Sequence, residues 1–343
     1  MSIETYGGIF SGVNTVVTGG TGFIGSHLAT ALVGLGARVT VIDNLSGSDV
    51  SNIEPLMGSD DPKLTFVQSS ILDREVVAEA MAGVQYVFHQ AAMGSVPRSL
   101  KYPQRYHEVN TTGTLNILEA ARAAGVNRVM FAASSSAYGD TPTLPKVETM
   151  PSLPRSPYAA TKVAGEALLR AYATSYGASD GESGFDTVAL RYFNIFGPRQ
   201  NANSAYAAVI AAFAKALLNG EAPVIHGDGE QSRDFTFVDN AVHANLLAAS
   251  NATPLRGEVF NVACGERVTV NELAAQMAAA LGRPELVATH VETRAGDVKH
   301  SLADLAKIRA GLGYEPLVGF GEGLKVTMDW YAEQARSAEG VGS

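Results

Sequence analysis

The stretch Thr15-Val16-Val17-Thr18-Gly19-Gly20-Thr21-Gly22-Phe23-Ile24-Gly25 passes from a β-branched run through spaced glycines into a segment whose Ile24, Leu28, Ala31, Leu32 and Leu35 share one helical face. Strand, tight turn and helix in that order make a phosphate cradle. Gly19, Gly22 and Gly25 let the turn close, let a pyrophosphate approach the backbone and set its charge at a helix N-terminus. A glycine triplet alone is a weak signal. Here the next β-branched run, Ala37-Arg38-Val39-Thr40-Val41-Ile42, leads into Asp43. That is about 20 residues on, where an acid takes the adenosine ribose hydroxyls of a dinucleotide. A carboxylate there repels a 2′-phosphate, which predicts NAD in preference to NADP.

Outward from this unit, short apolar or β-branched runs recur at 64–67, 84–88, 128–131 and 187–190. Longer amphipathic stretches lie between them, one beginning with Leu115, Leu118, Ala121 and Arg122. The short runs predict strands buried on both faces. Their alternation with helices predicts an α/β fold with a doubly wound parallel (Rossmann) sheet. Residues 1–196 are expected to form an NAD-binding domain. After Gly197 the pattern loosens, and residues 197–343 are expected to be mainly a smaller α/β substrate domain. Residues 235–262 are the exception, because Glu258-Val259-Phe260-Asn261-Val262 suits a return to the main sheet. Residues 177–184, rich in Gly, Ser and acids, suit an exposed loop. Residues 140–157 hold five prolines and must run irregularly into the next helix.

A length of 343 residues supports two α/β units without disulfide staples. Cys264 is the only cysteine and reads as a small packed hydrophobe. No metal-ligand spacing of Cys, His or carboxylates occurs. Acidic side chains outnumber basic ones by 34 to 25, a formal charge of −9, with no Lys/Arg run, which argues against nucleic acid as a partner. Residues 1–12 lack the features of a signal peptide, and no stretch reaches the ~18 apolar residues of a membrane span, so a cytoplasmic location is expected.

Chemistry enters at Ser156-Pro157-Tyr158-Ala159-Ala160-Thr161-Lys162. Ser156 suits an N-cap and Pro157 the first helical position, so Tyr158 and Lys162 should share a helix face. A tyrosine with an ordinary pKa near ~10 is a poor base at neutral pH, but an adjacent ammonium and an oxidised nicotinamide both favour the phenolate. Such a pair becomes a general base. A Tyr and a Lys four apart are common on helix surfaces. What sets this pair apart is Ser134-Ser135-Ser136-Ala137-Tyr138-Gly139, at the end of the fifth strand, where substrates bind in such sheets. The plainer alternative is that these serines only shape a strand-end turn.

Together with Asp43-Asn44-Leu45-Ser46, His89-Gln90-Ala91-Ala92, Asn110 ahead of Gly113-Thr114 and Asn116, and Arg191-Tyr192-Phe193-Asn194, these motifs resemble the extended short-chain dehydrogenase/reductases of the NAD-dependent epimerase/dehydratase type. The resemblance spans nearly the whole chain. It implies that Ser134, Tyr158 and Lys162 are catalytic. It also implies that NAD is held by Gly19, Gly22, Phe23, Ile24, Gly25, Asp43, Asn44, Ser46, Ile71, Gln90, Ala91, Ala92 and Asn110, with Tyr158 and Lys162. Ser135 and Ser136 stand where the related 4,6-dehydratases carry an Asp-Glu acid/base pair. Serines cannot drive that β-elimination, which leaves reversible hydride transfer at C4 of a hexose, as 4-epimerases perform it.

Gly94-Ser95-Val96-Pro97-Arg98-Ser99, Phe196-Gly197-Pro198-Arg199-Gln200, Ala205-Tyr206-Ala207-Ala208-Val209-Ile210 and Gly296-Asp297-Val298-Lys299-His300-Ser301 resemble the branch acting on UDP-N-acetylglucosamine. This implies UDP-sugar contacts from Gly94, Ser95, Ser134, Ser135, Ser136, Asn194, Ala208, Val209, Arg233, Arg294, Asp297 and Ser301. Arginine suits phosphates through its charge and forked donors. A small Ser301 leaves room for an N-acetyl group at C2, where a large aromatic would restrict the pocket to plain hexoses. Two departures stand out. Ser70 replaces the aspartate usual for the adenine amino group, and Gly94 replaces the lysine of classical UDP-galactose epimerases. The alternatives are a UDP-glucose/UDP-galactose 4-epimerase, a UDP-glucuronate 4-epimerase or decarboxylase using Arg98 or Lys101 as its pocket cation, and a non-catalytic NAD-binding regulator. The family further implies a homodimer through a four-helix bundle built from residues near 116–124 and 158–176.

Overall fold

The computed structural model describes residues 6, 8–58, 63–177, 184–201, 209–293 and 299–340. Ala208, Arg294 and Asp297, and residues 178–183 of the expected exposed loop, lie outside the described residues. The strands β1 (Asn14–Thr18), β2 (Arg38–Asp43), β3 (Leu64–Gln68), β4 (Tyr86–His89), β5 (Arg128–Ser134) and β6 (Asp186–Tyr192) alternate with helices. Four short strands follow, β7 (Ile195–Phe196), β8 (Val224–His226), β9 (Ser232–Arg233) and β10 (Thr236–Phe237), then β11 (Glu258–Val262), β12 (Val268–Thr269) and β13 (Thr289–Val291).

One seven-stranded sheet has the order β11-β6-β5-β4-β1-β2-β3, with every neighbour parallel. The chain moves outward from β1 in one direction through β2 and β3, then crosses to β4 and continues the other way. The order therefore reverses between β1 and β4, and the crevice at their C-terminal ends is where ligands bind in such sheets. β11 pairs with β6, Glu258 opposite Val188 through Val262 opposite Tyr192, so the late strand does join the main sheet.

Apolar side chains cover both sheet faces. Val16, Val87, Val129, Phe131 and Ala189 pack on the side of the helices Gly113–Ala123 and Pro157–Tyr176. Val17, Phe88, Met130, Val188 and Leu190 pack on the side of Phe23–Gly34 and Val238–Ser250. A separate core of Phe196, Phe213, Ile225, Phe235, Leu273 and Phe320 gathers the helices Val209–Leu218, Val270–Ala280 and Phe320–Gly340. Two sequence readings shift. β3 is the sheet edge, with exposed positions, so it is not buried on both faces. In Gly113–Ala123 the buried arc is Thr114, Ile117, Leu118 and Ala121, leaving Leu115 at its rim, 37% exposed.

Arg128 and Asp186 face each other at the bottoms of β5 and β6, joined at 2.5 Å and almost fully buried. Arg128 also donates to the carbonyls of Ala248, Asn251 and Thr253, and Asp186 accepts from the backbone N–H of Leu255 and Arg256. Their remaining hydrogen-bonding capacity is thus spent on the connection between Val238–Ser250 and β11. Breaking such a pair by removing one partner costs about 3–5 kcal/mol.

Candidate active site

The glycine turn sits at the switch point. Gly19 has φ +68° and lies so close to β4 that a Cβ there would stand 2.7 Å from the Ala91 backbone. Gly22 caps Phe23–Gly34 without a side-chain bond, and no acid occupies the first turn of that helix. Its N-terminal N–H groups and dipole therefore face the crevice uncompensated by side chains, as an anion site requires. Asp43 ends β2, its carboxylate accepting from Thr21 N at 3.2 Å and Leu45 N at 2.9 Å. Asn44 folds over Ser46 N at 3.1 Å. Ile71 is buried against Gly113, and Asn116 donates to its carbonyl. Ser70 Oγ accepts from Leu72 N at 3.2 Å, a local turn bond.

The Ser156 hydroxyl accepts from Ala159 N at 3.1 Å and Pro157 opens the twenty-residue helix Pro157–Tyr176, as its capping sequence predicts. Tyr158 and Lys162 follow on this helix. Ser134 ends β5 and begins the serine run that packs against this helix. Burial pushes the Tyr158 phenol up, and the nearby Ser134 side chain opposes the shift. Lys162 is 4% exposed, and burial lowers its ammonium to about 8 while Glu166 opposes the shift. Glu166 is itself held in a two-pronged buried pair with Arg191 of β6, at 2.8 and 2.7 Å.

Three buried side chains that spacing alone did not single out brace this constellation. Tyr106 meets the Tyr158 ring edge-on, with centroids 6.5 Å apart, and its hydroxyl accepts from Ser95 N at 3.1 Å. Asn110, expected on the cofactor, accepts from Met93 N at 2.8 Å and donates to Met93 O at 3.1 Å and to Thr161 at 3.0 Å. It lies in a π-helical turn, Glu108–Thr112, a distortion frequent at functional sites. His89 bridges Thr18 at 2.7 Å and Thr114 at 2.9 Å. Because Thr114 already donates to Asn110 O and Thr18 accepts from Ala91 N, His89 must carry its proton on Nε2 and accept at Nδ1. Burial and the nearby Lys162 push its pKa down to about 3, which keeps it neutral. Gln90 turns toward Tyr192 and Asn245, at 3.2 and 3.4 Å, while Ala91 and Ala92 follow it along the crevice wall.

Among the residues expected to contact the sugar nucleotide, Gly94 is exposed with open space where a Cβ would be, and Ser95 caps the helix Val96–Lys101, whose Arg98 and Lys101 are exposed. Ser135 and Ser136 begin a 3-10 turn over Ser135–Tyr138. Asn194 adopts φ +39° and donates to Asp234 O at 3.2 Å. Arg233 donates to the carbonyls of Ser232 and Lys299, and Ser301 N donates to Ser232 O at 3.0 Å. Val209 begins the helix Val209–Leu218. Asp234, fully buried, accepts from the N–H of Cys264, Gly265 and Ala303. One carboxylate thereby ties the segment of Arg233 to that of Ser301. Cys264 packs against Asn240, and burial pushes its thiol up to about 12, which leaves it inert. Among the described residues no cluster of His, Cys, Asp and Glu could hold a metal, and no helix is long and apolar enough to cross a membrane.

A parallel sheet with an uncapped glycine turn at its switch point, an acid ending β2, and a Ser-Tyr-Lys set with a buried lysine marks an NAD-binding enzyme of the extended short-chain dehydrogenase/reductase class. The chain belongs to the NAD dependent epimerase/dehydratase family, whose model matches residues 15–263. NAD is its cofactor, and the glycine turn and Asp43 fit it. A UDP-glucose 4-epimerase of Mycolicibacterium smegmatis is 37% identical over 326 residues, covering 94% of this chain and 100% of the relative. The solved UDP-N-acetylglucosamine 4-epimerase of Methanobrevibacter ruminantium M1, in complex with UDP-N-acetylmuramic acid, superposes with a TM-score of 0.86 at 40% identity, covering 94% of this chain and 99% of that one. The UDP-glucose 4-epimerase of Thermotoga maritima with UDP-glucose gives 0.85 at 36%, covering 94% and 99%.

Proposed function

We propose that the chain is a UDP-sugar 4-epimerase that interconverts UDP-N-acetylglucosamine and UDP-N-acetylgalactosamine. The observation that carries this reading is the serine run at the end of β5, with hydroxyls at 134, 135 and 136 and no acid pair beside Ser134, packed against the helix that carries Tyr158 and Lys162. Such a site moves a proton on and off one sugar hydroxyl and lacks the groups for elimination.

Tyr158 takes the proton of the 4-hydroxyl, and Ser134 holds the same oxygen. Bound NAD supplies a reversible hydride acceptor for C4. Lys162 places its charge beside the base. The 4-keto sugar then turns about its diphosphate link while Asn194, Arg233 and Arg294 hold UDP, and it is reduced on its other face. This requires firm contacts at the nucleotide and few at the sugar, a division that favours the transition states over any one bound sugar. Residues 197–343, apart from 235–262, form the UDP-sugar side of the cleft in this reading, and residues 1–196 the NAD side. Ser301 stays small to admit the C2 substituent.

The active form in this proposal is a cytoplasmic homodimer through a four-helix bundle. A groove between residues 103–111 and the start of Pro157–Tyr176, lined by Pro103, Thr111, Pro157, Ala160 and Ala164, leaves an apolar face on one of these helices and supports that packing.

Incubation with UDP-N-acetylglucosamine, UDP-glucose and UDP-glucuronate in turn, with products resolved by proton NMR, tests the reading. The N-acetyl sugar is expected to give its 4-epimer at the highest rate. Turnover confined to UDP-glucose, carbon dioxide from UDP-glucuronate, or no turnover of any UDP sugar would each overturn it.

A further inference from the structure

Tyr106 and Asn110, four residues apart, reach from one segment both to loop 93–95 and to the helix that carries Tyr158. Asn110 holds Met93 through its N–H at 2.8 Å and its carbonyl at 3.1 Å. It also donates at 3.0 Å to Thr161, whose own hydroxyl donates to the Tyr158 carbonyl at 2.7 Å. Asn110 thereby ties loop backbone to helix backbone. Tyr106 makes the corresponding link further out: its hydroxyl accepts from Ser95 N at 3.1 Å, and its ring stands against the Tyr158 ring, centroids 6.5 Å apart and planes at 89°. Gly94, between the two held loop residues, is exposed with open space around it.

We propose that Tyr106 is a positioning residue with two separable tasks: its ring fixes the direction of the Tyr158 phenol, and its hydroxyl fixes loop 93–95 as a wall of the sugar pocket. This rests on the reading in which Tyr158 takes the proton of the 4-hydroxyl and Gly94 and Ser95 touch the sugar. One side chain then keeps base and wall in register while the keto sugar turns between them.

The helix Pro157–Tyr176 fixes the Tyr158 Cα, but the direction of its ring is a choice among rotamers that neighbours decide. An edge-to-face contact between aromatic rings has a preferred geometry and so selects among them. Tyr106 can impose that geometry because it does not move itself. It is 1% exposed, its short helix Pro103–His107 packs on Pro157–Tyr176, and its two ends are held by different partners. At the loop, Ser95 N precedes the helix Val96–Lys101 that Ser95 caps. Its bond to Tyr106 therefore sets where that helix starts as well as where Gly94 lies.

Tyr106→Phe and Tyr106→Leu separate the tasks. Tyr106→Phe keeps the ring and takes the acceptor from Ser95 N. KM for UDP-N-acetylglucosamine should rise about three- to tenfold, as the loss of one ordinary hydrogen bond implies, with kcat within about twofold, the pattern of lost uniform binding. Tyr106→Leu removes the ring as well, and kcat should fall by about tenfold or more, since small misplacements of a reacting group are costly. A readout without sugar accompanies these: the Tyr158 signal in 13C NMR of NAD-loaded protein with ring-labelled tyrosine, assigned with Tyr158→Phe. It should stay in place in Tyr106→Phe and shift in Tyr106→Leu. A fall of kcat in Tyr106→Phe with KM unchanged, or wild-type kcat and an unmoved Tyr158 signal in Tyr106→Leu, overturns the proposal. Should Tyr106→Leu fail to fold in thermal unfolding, the split between KM and kcat in Tyr106→Phe decides alone. In a protein inactive on every UDP sugar, a signal that moves only in Tyr106→Leu supports the role of the Tyr106 ring and rejects the epimerase reading.

Discussion

Lys162 stands one helical turn past Tyr158, yet its ammonium donates to the Ala132 carbonyl at 2.7 Å and lies 5.9 Å from the centroid of the Tyr158 ring. A backbone oxygen holds it, and burial lowers its pKa to about 8. The unfolded chain keeps that proton up to the ordinary value of 10.5. Between these values the unfolded state binds more protons, so stability contributed at this site rises with pH. Urea unfolding of the wild type against Lys162→Met should show a difference that climbs from pH 8 to 10.5. Turnover should run the other way and fall above about 8 as the charge is lost. A flat stability difference would contradict the burial of this ammonium.

Gly19→Ala should remove most of the NAD that accompanies the purified protein. The substitution places a Cβ at φ +68° and 2.7 Å from the Ala91 backbone. Left-handed backbone at a non-glycine residue costs about 1–3 kcal/mol, and the clash moves the wall of the dinucleotide cleft. Cofactor released on denaturation, measured by absorbance, checks this; wild-type content in the variant would contradict it.

Asp234→Asn should raise KM for the UDP sugar and leave bound NAD unchanged. The amide turns a donor toward a backbone N–H that the carboxylate had satisfied, at a cost of about 1–3 kcal/mol. The strain falls on the segments of Arg233 and Ser301. Thermal unfolding and substrate kinetics together check it, and an unchanged KM would separate Asp234 from the substrate side.

Ser301→Tyr should cut turnover of UDP-N-acetylhexoses relative to UDP-glucose by about tenfold or more, which corresponds to roughly 1.4 kcal/mol in the barrier. Competition between the two substrates in one reaction measures the ratio directly. Equal loss on both would defeat the role of Ser301 as a gate on the C2 group.

The parts legible in the sequence are those whose physics is local. Gly19 through Gly25 and Asp43 announce themselves because strand, turn and acid follow one another along the chain. Ser156 and Pro157 mark the helix start by capping chemistry, and Glu258-Val259-Phe260-Asn261-Val262 shows its burial in its composition. Tyr106, Asn110 and Asp234 are different. Tyr106 reaches Ser95 and Tyr158, Asn110 reaches Met93 and Thr161, and Asp234 reaches Cys264 and Ala303, each across turns that no periodicity encodes. Leu115 fails for a related reason: an apolar residue at the rim of a helical face has the same period as one at its centre. The edge position of β3 depends on strand order, which hydrophobic runs do not carry.

Incubation of UDP-N-acetylglucosamine deuterated at C4 tests the central claim most directly, with the label followed by NMR into the product. Reversible oxidation at that carbon predicts UDP-N-acetylgalactosamine with deuterium retained at C4, and no such product from Tyr158→Phe. Loss of the deuterium to water, or unchanged conversion by Tyr158→Phe, would contradict it.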